Sequence, residues 1–219
     1  PGTTETQAVG SPNGRSIAWV EIGPAGAALH TATRFGEHDV SIPLEFPPFY
    51  LQWDPTSSKV LYLGNAGPTI ALGVVDQAVV QPQDIAVGGG APLYLSWSPD
   101  GTDILVHVGN AVLGTSDLVD PLDRIHRRPG VFQAPVWLPD GGLVYAISRG
   151  KGQALVVDHD GTIATLARFD GGVIFTVDPA GRRIAYRLDR PDGSQRGVFV
   201  RSIDGGRARR ITRRETTTF

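Results

Sequence analysis

The chain contains no cysteine and no methionine in its 219 residues. Without cysteine there are no disulfides and no thiolate-held zinc, although that absence does not fix a compartment. Methionine is missing even at position 1, so we expect a processed or trimmed chain. No apolar run approaches the roughly 18 residues of a membrane-spanning helix. The opening Pro1-Gly2-Thr3-Thr4 carries neither a basic start nor an apolar stretch, so no signal peptide is read here; one removed earlier would leave no trace. An excess of one charge is missing too. Twenty Lys and Arg stand against 22 Asp and Glu, a formal net charge of −2. There is no global attraction to nucleic acid or to an anionic membrane surface. Nor does any segment repeat its apolar residues at the spacing of an amphipathic helix.

What is present is 28 glycines and 17 prolines, set between short apolar runs and never gathered into one tract. Runs such as Ile17-Ala18-Trp19-Val20, Val60-Leu61-Tyr62-Leu63 and Ile104-Leu105-Val106 are rich in β-branched and aromatic residues. Many short strands joined by tight turns account for this pattern.

The punctuation repeats. Ser11-Pro12-Asn13-Gly14, Asp54-Pro55-Thr56-Ser57, Ser98-Pro99-Asp100-Gly101, Leu138-Pro139-Asp140-Gly141 and Asp178-Pro179-Ala180-Gly181 place prolines 43, 44, 40 and 39 residues apart. Trp53, Trp97 and Trp137 each precede the proline by two positions. Proline presets φ for the first central position of a turn, Asp or Asn tolerates the second, and Gly closes it without a Cβ. A tryptophan just before such a turn can wedge between neighbouring sheets.

Four strands fit each period. In the third they are Leu93–Trp97, Ile104–Val108, Ala111–Thr115 and an outer strand near Arg124–Arg127. In the fourth they are Gln133–Trp137, Leu143–Ser148, Ala154–Asp158 and Thr162–Arg168. In the fifth they are Val173–Val177, Arg183–Leu188, Gly197–Ile203 and Arg207–Thr212. Four strands per 40 to 45 residues make the blade of a β-propeller. The expected fold is therefore all-β: one propeller domain of four-stranded antiparallel blades. The blades span about 5–46, 47–90, 91–130, 131–171 and 172–214, and 215–219 starts a further strand. Five complete blades are visible. We expect a six-bladed ring completed by further residues, with closure of five blades as the alternative.

Trp97-Ser98-Pro99-Asp100-Gly101 with Ile104-Leu105 resembles the PD40 (WD40-like) repeat of TolB-type propellers. Trp137-Leu138-Pro139-Asp140-Gly141 is similar. Ala185-Tyr186, Val198–Val200 and Asp204-Gly205-Gly206 look like that repeat's later strands and hairpin. The first repeat departs with Gly10 at the Trp position, the second lacks the Asp-Gly, and the fifth has Val177 for Trp. The resemblance implies an extracytoplasmic protein of the periplasm or cell envelope; no residue demonstrates that, and none excludes the cytoplasm. The repeat also resembles the propellers of prolyl-oligopeptidase-like enzymes.

Candidate chemistry is sparse. Asp100 and Asp140 are read as turn residues in preference to metal or acid–base carboxylates, because the repeat explains their spacing. Asp158-His159-Asp160-Gly161 is read as a hairpin, since the later ligands of a calcium loop are missing. His30, His38, His107, His126 and His159 offer no zinc pair on a helix, and none lies on an expected first strand. No Gly-x-Ser-x-Gly motif occurs, and Gly88-Gly89-Gly90 leads into no helix that would cradle phosphate. We therefore expect no catalytic residue, cofactor or metal. Residues 182–214 hold eleven Arg and three Asp, a local +8 that leaves about −10 for the rest. Arg207, Arg209, Arg210, Arg213 and Arg214 form a candidate basic face for an acidic partner, with solvated charges guarding a sheet edge as the structural alternative. Without interleaved aromatics, nucleic acid is disfavoured. Pro43–Tyr50, rich in proline and aromatics, is read as packing at the blade edge, or else as an exposed docking spot.

The leading expectation is a non-catalytic protein–protein interaction scaffold whose oligomeric state the sequence leaves open. The alternatives are the substrate-filtering propeller of a peptidase, and a metal-dependent propeller lyase or lactonase.

Overall fold

The computed structural model describes residues 2–37, 39–76, 79–86, 93–108, 112–116, 134–149, 152–189 and 197–212. Every regular element among them is a strand. They are β1 (Thr4–Gly10), β2 (Ser16–Gly23), β3 (Gly26–Thr33), β4 (Val40–Leu44), β5 (Pro48–Trp53), β6 (Lys59–Ala66), β7 (Thr69–Asp76), β8 (Val79–Ala86), β9 (Leu93–Trp97) and β10 (Ile104–Val108). There follow β11 (Val112–Ser116), β12 (Val136–Trp137), β13 (Leu143–Arg149), β14 (Gly152–His159), β15 (Thr162–Phe169), β16 (Gly172–Val177), β17 (Arg183–Asp189), β18 (Phe199–Ser202) and β19 (Gly205–Arg210). Leu93–Trp97 and Ile104–Val108 fall where the sequence placed them. Three others shift by one to three residues: β11, β18 and β19. The fourth strand expected near Arg124–Arg127 lies outside the described residues, as do Gln133 and the tail from 213.

Five meander sheets result, β1–β4, β5–β8, β9–β11, β12–β15 and β16–β19, each strand pairing antiparallel with its sequence neighbours. Short connections produce this order, because a two-residue turn reaches only the adjacent strand. Asp160-Gly161 between β14 and β15 is such a turn. Both residues have positive φ, +50° and +84°, as the right-handed twist of the flanking strands requires. The Asp158–Gly161 segment is thus a hairpin end.

The chain forms two compact units. One comprises Pro1–Gly90 with Asp100–Asp103 and Asp117–Pro121; the other comprises Ala91–Pro99, Ile104–Ser116 and Leu122–Phe219. In the first, Ala18, Val20, Leu29 and Ile42 of sheet one pack on Trp53, Val60, Tyr62 and Val75 of sheet two. In the second, sheet four is apolar on both faces. Val144, Ala146, Leu155 and Val157 meet Phe175, Ile184, Tyr186 and Leu188 of sheet five. Leu143, Tyr145, Ile147, Ala154 and Val156 join Leu105 of sheet three. Strand side chains alternate between faces, so a strand covered on both sides loses its polar alternation. That is why Leu143–Ile147 reads as a continuous apolar run.

Candidate partner-binding surface

The surface rests on the proline turns. Gly14, Ser57, Gly141 and Gly181 donate their N–H to the carbonyls of Ser11, Asp54, Leu138 and Asp178 at 2.8–3.0 Å. The closing residue is left-handed every time, with φ of +69°, +66°, +87° and +68°. Ser57 therefore holds a glycine conformation in the repeat whose Asp-Gly is missing. Its hydroxyl, on a residue 7% exposed, accepts the Asn13 N–H of the preceding turn at 3.1 Å.

The tryptophans join sheets as their position suggested. Trp53 Nε1 donates to the Val9 carbonyl at 3.1 Å, and Trp137 Nε1 to the Ser96 carbonyl at 3.2 Å. Each acceptor stands one residue before the tryptophan position of the preceding repeat, so one contact recurs with the period. Trp97 is buried at 6% exposure.

A role the sequence reading missed belongs to the residue before the proline. Asp54 Oδ1 accepts the N–H groups of Ser58 and Lys59, both at 2.7 Å. Asp178 Oδ1 accepts those of Arg182 and Arg183, also at 2.7 Å, and Ser11 Oγ accepts Ser16 N–H at 2.9 Å. Only Ser, Asp and Leu occur at this position, and that polar preference was the available signal. Burial works to raise the Asp54 carboxyl, but the Thr56 hydroxyl and three backbone N–H groups outweigh it and hold it below the usual carboxylate value. The Arg183 and Arg182 N–H groups lower Asp178, helped by their guanidinium charges. Asp100 Oδ1 accepts Thr102 N–H at 3.1 Å. Asp140 accepts Gly142 N–H at 3.1 Å and meets His159 Nε2 at 3.1 Å; the Gly142 bond, then His159, keep its carboxyl low.

The arginines sit on sheet five. Arg207, Arg209 and Arg210 lie on its outermost strand, β19, and are exposed; Arg213 and Arg214 fall outside the described residues. They do not share one face. Arg210 pairs with Phe199 and Arg209 with Val200, so the two point to opposite sides. Ala208 packs into the core, which puts Arg207 on the side of Arg209. Arg183 and Arg187 of β17 alternate with the core residues Ile184 and Tyr186 and so belong to that same outer side. The outer face thus carries Arg183, Arg187, Arg207 and Arg209, two of which the tail-centred reading left out. Among the described side chains of these strands it carries no acid. Arg201 is committed elsewhere, since its guanidinium donates to the Leu166 carbonyl of sheet four. Burial raises the Tyr186 hydroxyl on the inner side, with the Arg201 charge opposing it.

His30 lies on β3 and His159 ends β14; the His107 backbone lies on β10, and His38 and His126 fall outside the described residues. Among the described residues no three His, Cys, Asp or Glu side chains gather as metal ligands would. Asp158 is buried and accepts the Tyr145 hydroxyl at 2.5 Å and Gly161 N–H at 2.9 Å, which satisfies it as a hairpin anchor. In the Pro43–Tyr50 linker, Phe46 is buried against Tyr62, while Phe49 and Tyr50 stay 43% and 40% exposed. No helix among the described residues is long and apolar enough to cross a membrane.

No family model matches the chain, and no curated protein matches its sequence. Solved structures do match. The β-propeller domain of the trilobed protease from Pyrococcus furiosus superimposes with a TM-score of 0.56 at 13% identity, over 95% of this chain and 71% of that one. The fold is a β-propeller. TolB from Acinetobacter baumannii gives 0.53 at 24% identity, over 91% of this chain and 53% of TolB. A prolyl endopeptidase structure gives 0.59 at 14% identity, over 98% and 37%. The propeller chain described here spans about half the length of that TolB. At these identities the likeness carries architecture alone.

Proposed function

We propose that this propeller is a non-catalytic interaction scaffold of TolB-like type, built from PD40 repeats, that binds an acidic protein partner through the outer face of its last sheet. One observation carries the reading: Arg183, Arg187, Arg207 and Arg209 converge on one sheet face. Guanidinium groups on a rigid sheet suit carboxylates because each offers two parallel donors. An extracytoplasmic location follows from the TolB resemblance.

The test is a pull-down from an envelope extract at low salt, with retained proteins identified by mass. A variant with Arg183, Arg207 and Arg209 changed to Ser loses the acidic partner. Arg210→Ser, on the opposite side of the same strand, keeps it. Equal recovery by all three proteins overturns the reading. The higher TM-score of the prolyl endopeptidase supports a second reading, the filtering propeller of a peptidase. It requires an α/β segment with a serine nucleophile elsewhere in the full gene product, which sequencing the native gene decides.

A further inference from the structure

The first sheet ends the series of faces with the opposite charge. Its inner side, Ala18, Val20, Leu29 and Ile42, is in the core. Its outer side carries Ile17, Trp19 and Glu21 of β2, with Ala28 and His30 opposite them on β3 and Ser41 and Pro43 on β4. Glu5 of β1 pairs with Glu21 on the same side. Asp39, just before β4, reaches His30 Nδ1 at 3.3 Å, and Glu21 lies 3.7 Å from its Nε2. His30 stacks on Trp19 with ring centroids 5.0 Å apart. Three carboxylates therefore surround a fixed aromatic pair. Glu21 and Asp39 keep 38% and 53% of their side chains exposed, and Ile17 is 37% exposed.

This composition differs from that of the covered faces. Sheet two buries Leu61, Leu63, Leu72 and Val74 on the side away from sheet one, all at most 6% exposed. Sheet four is apolar on both sides, as described. Only the outer sides of sheets one and five mix half-buried apolar residues with charge. On sheet five those apolar residues are Ile174, Ala185 and Val200, between the arginines. One face is anionic with an aromatic centre, and the other is cationic through guanidinium groups that also stack on aromatic rings.

The geometry points to head-to-tail self-association, in which the basic outer face of sheet five in one copy packs on the acidic outer face of sheet one in the next. This deepens the binding reading above by naming the acidic partner as a second copy of the chain. The contact repeats the face-to-face sheet packing that the chain already uses between sheets one and two and between sheets four and five. Such an interface is heterologous, so each copy keeps one donor face and one acceptor face. Arginine supplies the specificity, and a like-charged face is rejected.

The experiment is sedimentation equilibrium of the intact chain from micromolar to near-millimolar concentration. The wild type shows a mass that rises with concentration to twice the monomer or more. The rise is abolished at about 1 M salt, where screening acts within about 3 Å. Two charge-reversed proteins, Glu21→Arg with Asp39→Arg and Arg207→Glu with Arg209→Glu, are each monomeric alone. Mixed in equal amounts, they form a dimer and stop there, because each retains one working face. Circular dichroism and the urea midpoint of each variant establish that it is folded. A wild type that stays monomeric at every concentration, or a mixture that fails to dimerise, overturns the proposal. If the wild type is monomeric while the Arg183/Arg207/Arg209 variant still loses an acidic protein in the pull-down, self-association fails and the scaffold reading stands.

Discussion

Replacing Ser57 by glycine and by alanine separates two opposing energies in the second turn. Ser57 sits at φ +66°, where a side chain meets the following carbonyl. A residue with a Cβ carries a cost of roughly 1–2 kcal/mol there. Its hydroxyl also accepts the Asn13 N–H at 3.1 Å, in a turn 44 residues away. A net hydrogen bond of this kind contributes about 1 kcal/mol. Alanine keeps the strain and loses the bond, so Ser57→Ala destabilises by about 1 kcal/mol. Glycine loses the bond but relieves the strain, and it adds about 0.5–1 kcal/mol of unfolded-state entropy. Ser57→Gly therefore lies near the wild type, about 1 kcal/mol above alanine. Gly141→Ala is the control. At φ +87° its Cβ would meet nothing within 4 Å, so the substitution reads the backbone penalty alone, about 1–2 kcal/mol. Urea unfolding at constant m-value gives all four stabilities. If alanine and glycine at position 57 are equally stable while Gly141→Ala is costly, Ser57 carries no strain and the reasoning fails.

Trp53→Phe and Trp137→Phe each remove an indole donor to the neighbouring sheet. The 5% exposed Trp53 costs more than the half-buried Trp137, with losses of about 1–3 kcal/mol; the reverse order in urea midpoints contradicts the wedge role. Asp54 is lowered in the folded state, so its contribution is fully present above the unfolded value near 3.9 and is lost as pH falls through the folded one. The urea midpoint of the wild type then drops more steeply between neutral pH and acid than that of Asp54→Asn; equal slopes refute the carboxylate's part in the turn.

The strands around each proline were legible because proline and glycine dictate local dihedrals whatever surrounds them. Leu93–Trp97 and Ile104–Val108 came out unshifted, since each is bounded by such punctuation or by a tryptophan. The ends of β18 and β19 were displaced because a bulge between Val200 and Ser202 resets the register, and no local propensity announces it. The same register decided the candidate surface. Arg209 and Arg210 are adjacent in sequence and face opposite ways, while Arg183 joins Arg207 from two strands earlier.

By itself the chain's order of residues determined the number of turns, their spacing and the alternation along each strand, because these depend on neighbours a few bonds away. Only the folded sheets decided which alternate side is covered. Glu5, Glu21 and Asp39 come together across three strands, and four arginines across two, through hydrogen-bond pairing between segments distant in the chain. Charge that looks scattered along the sequence is sorted by that pairing onto two opposite-signed faces.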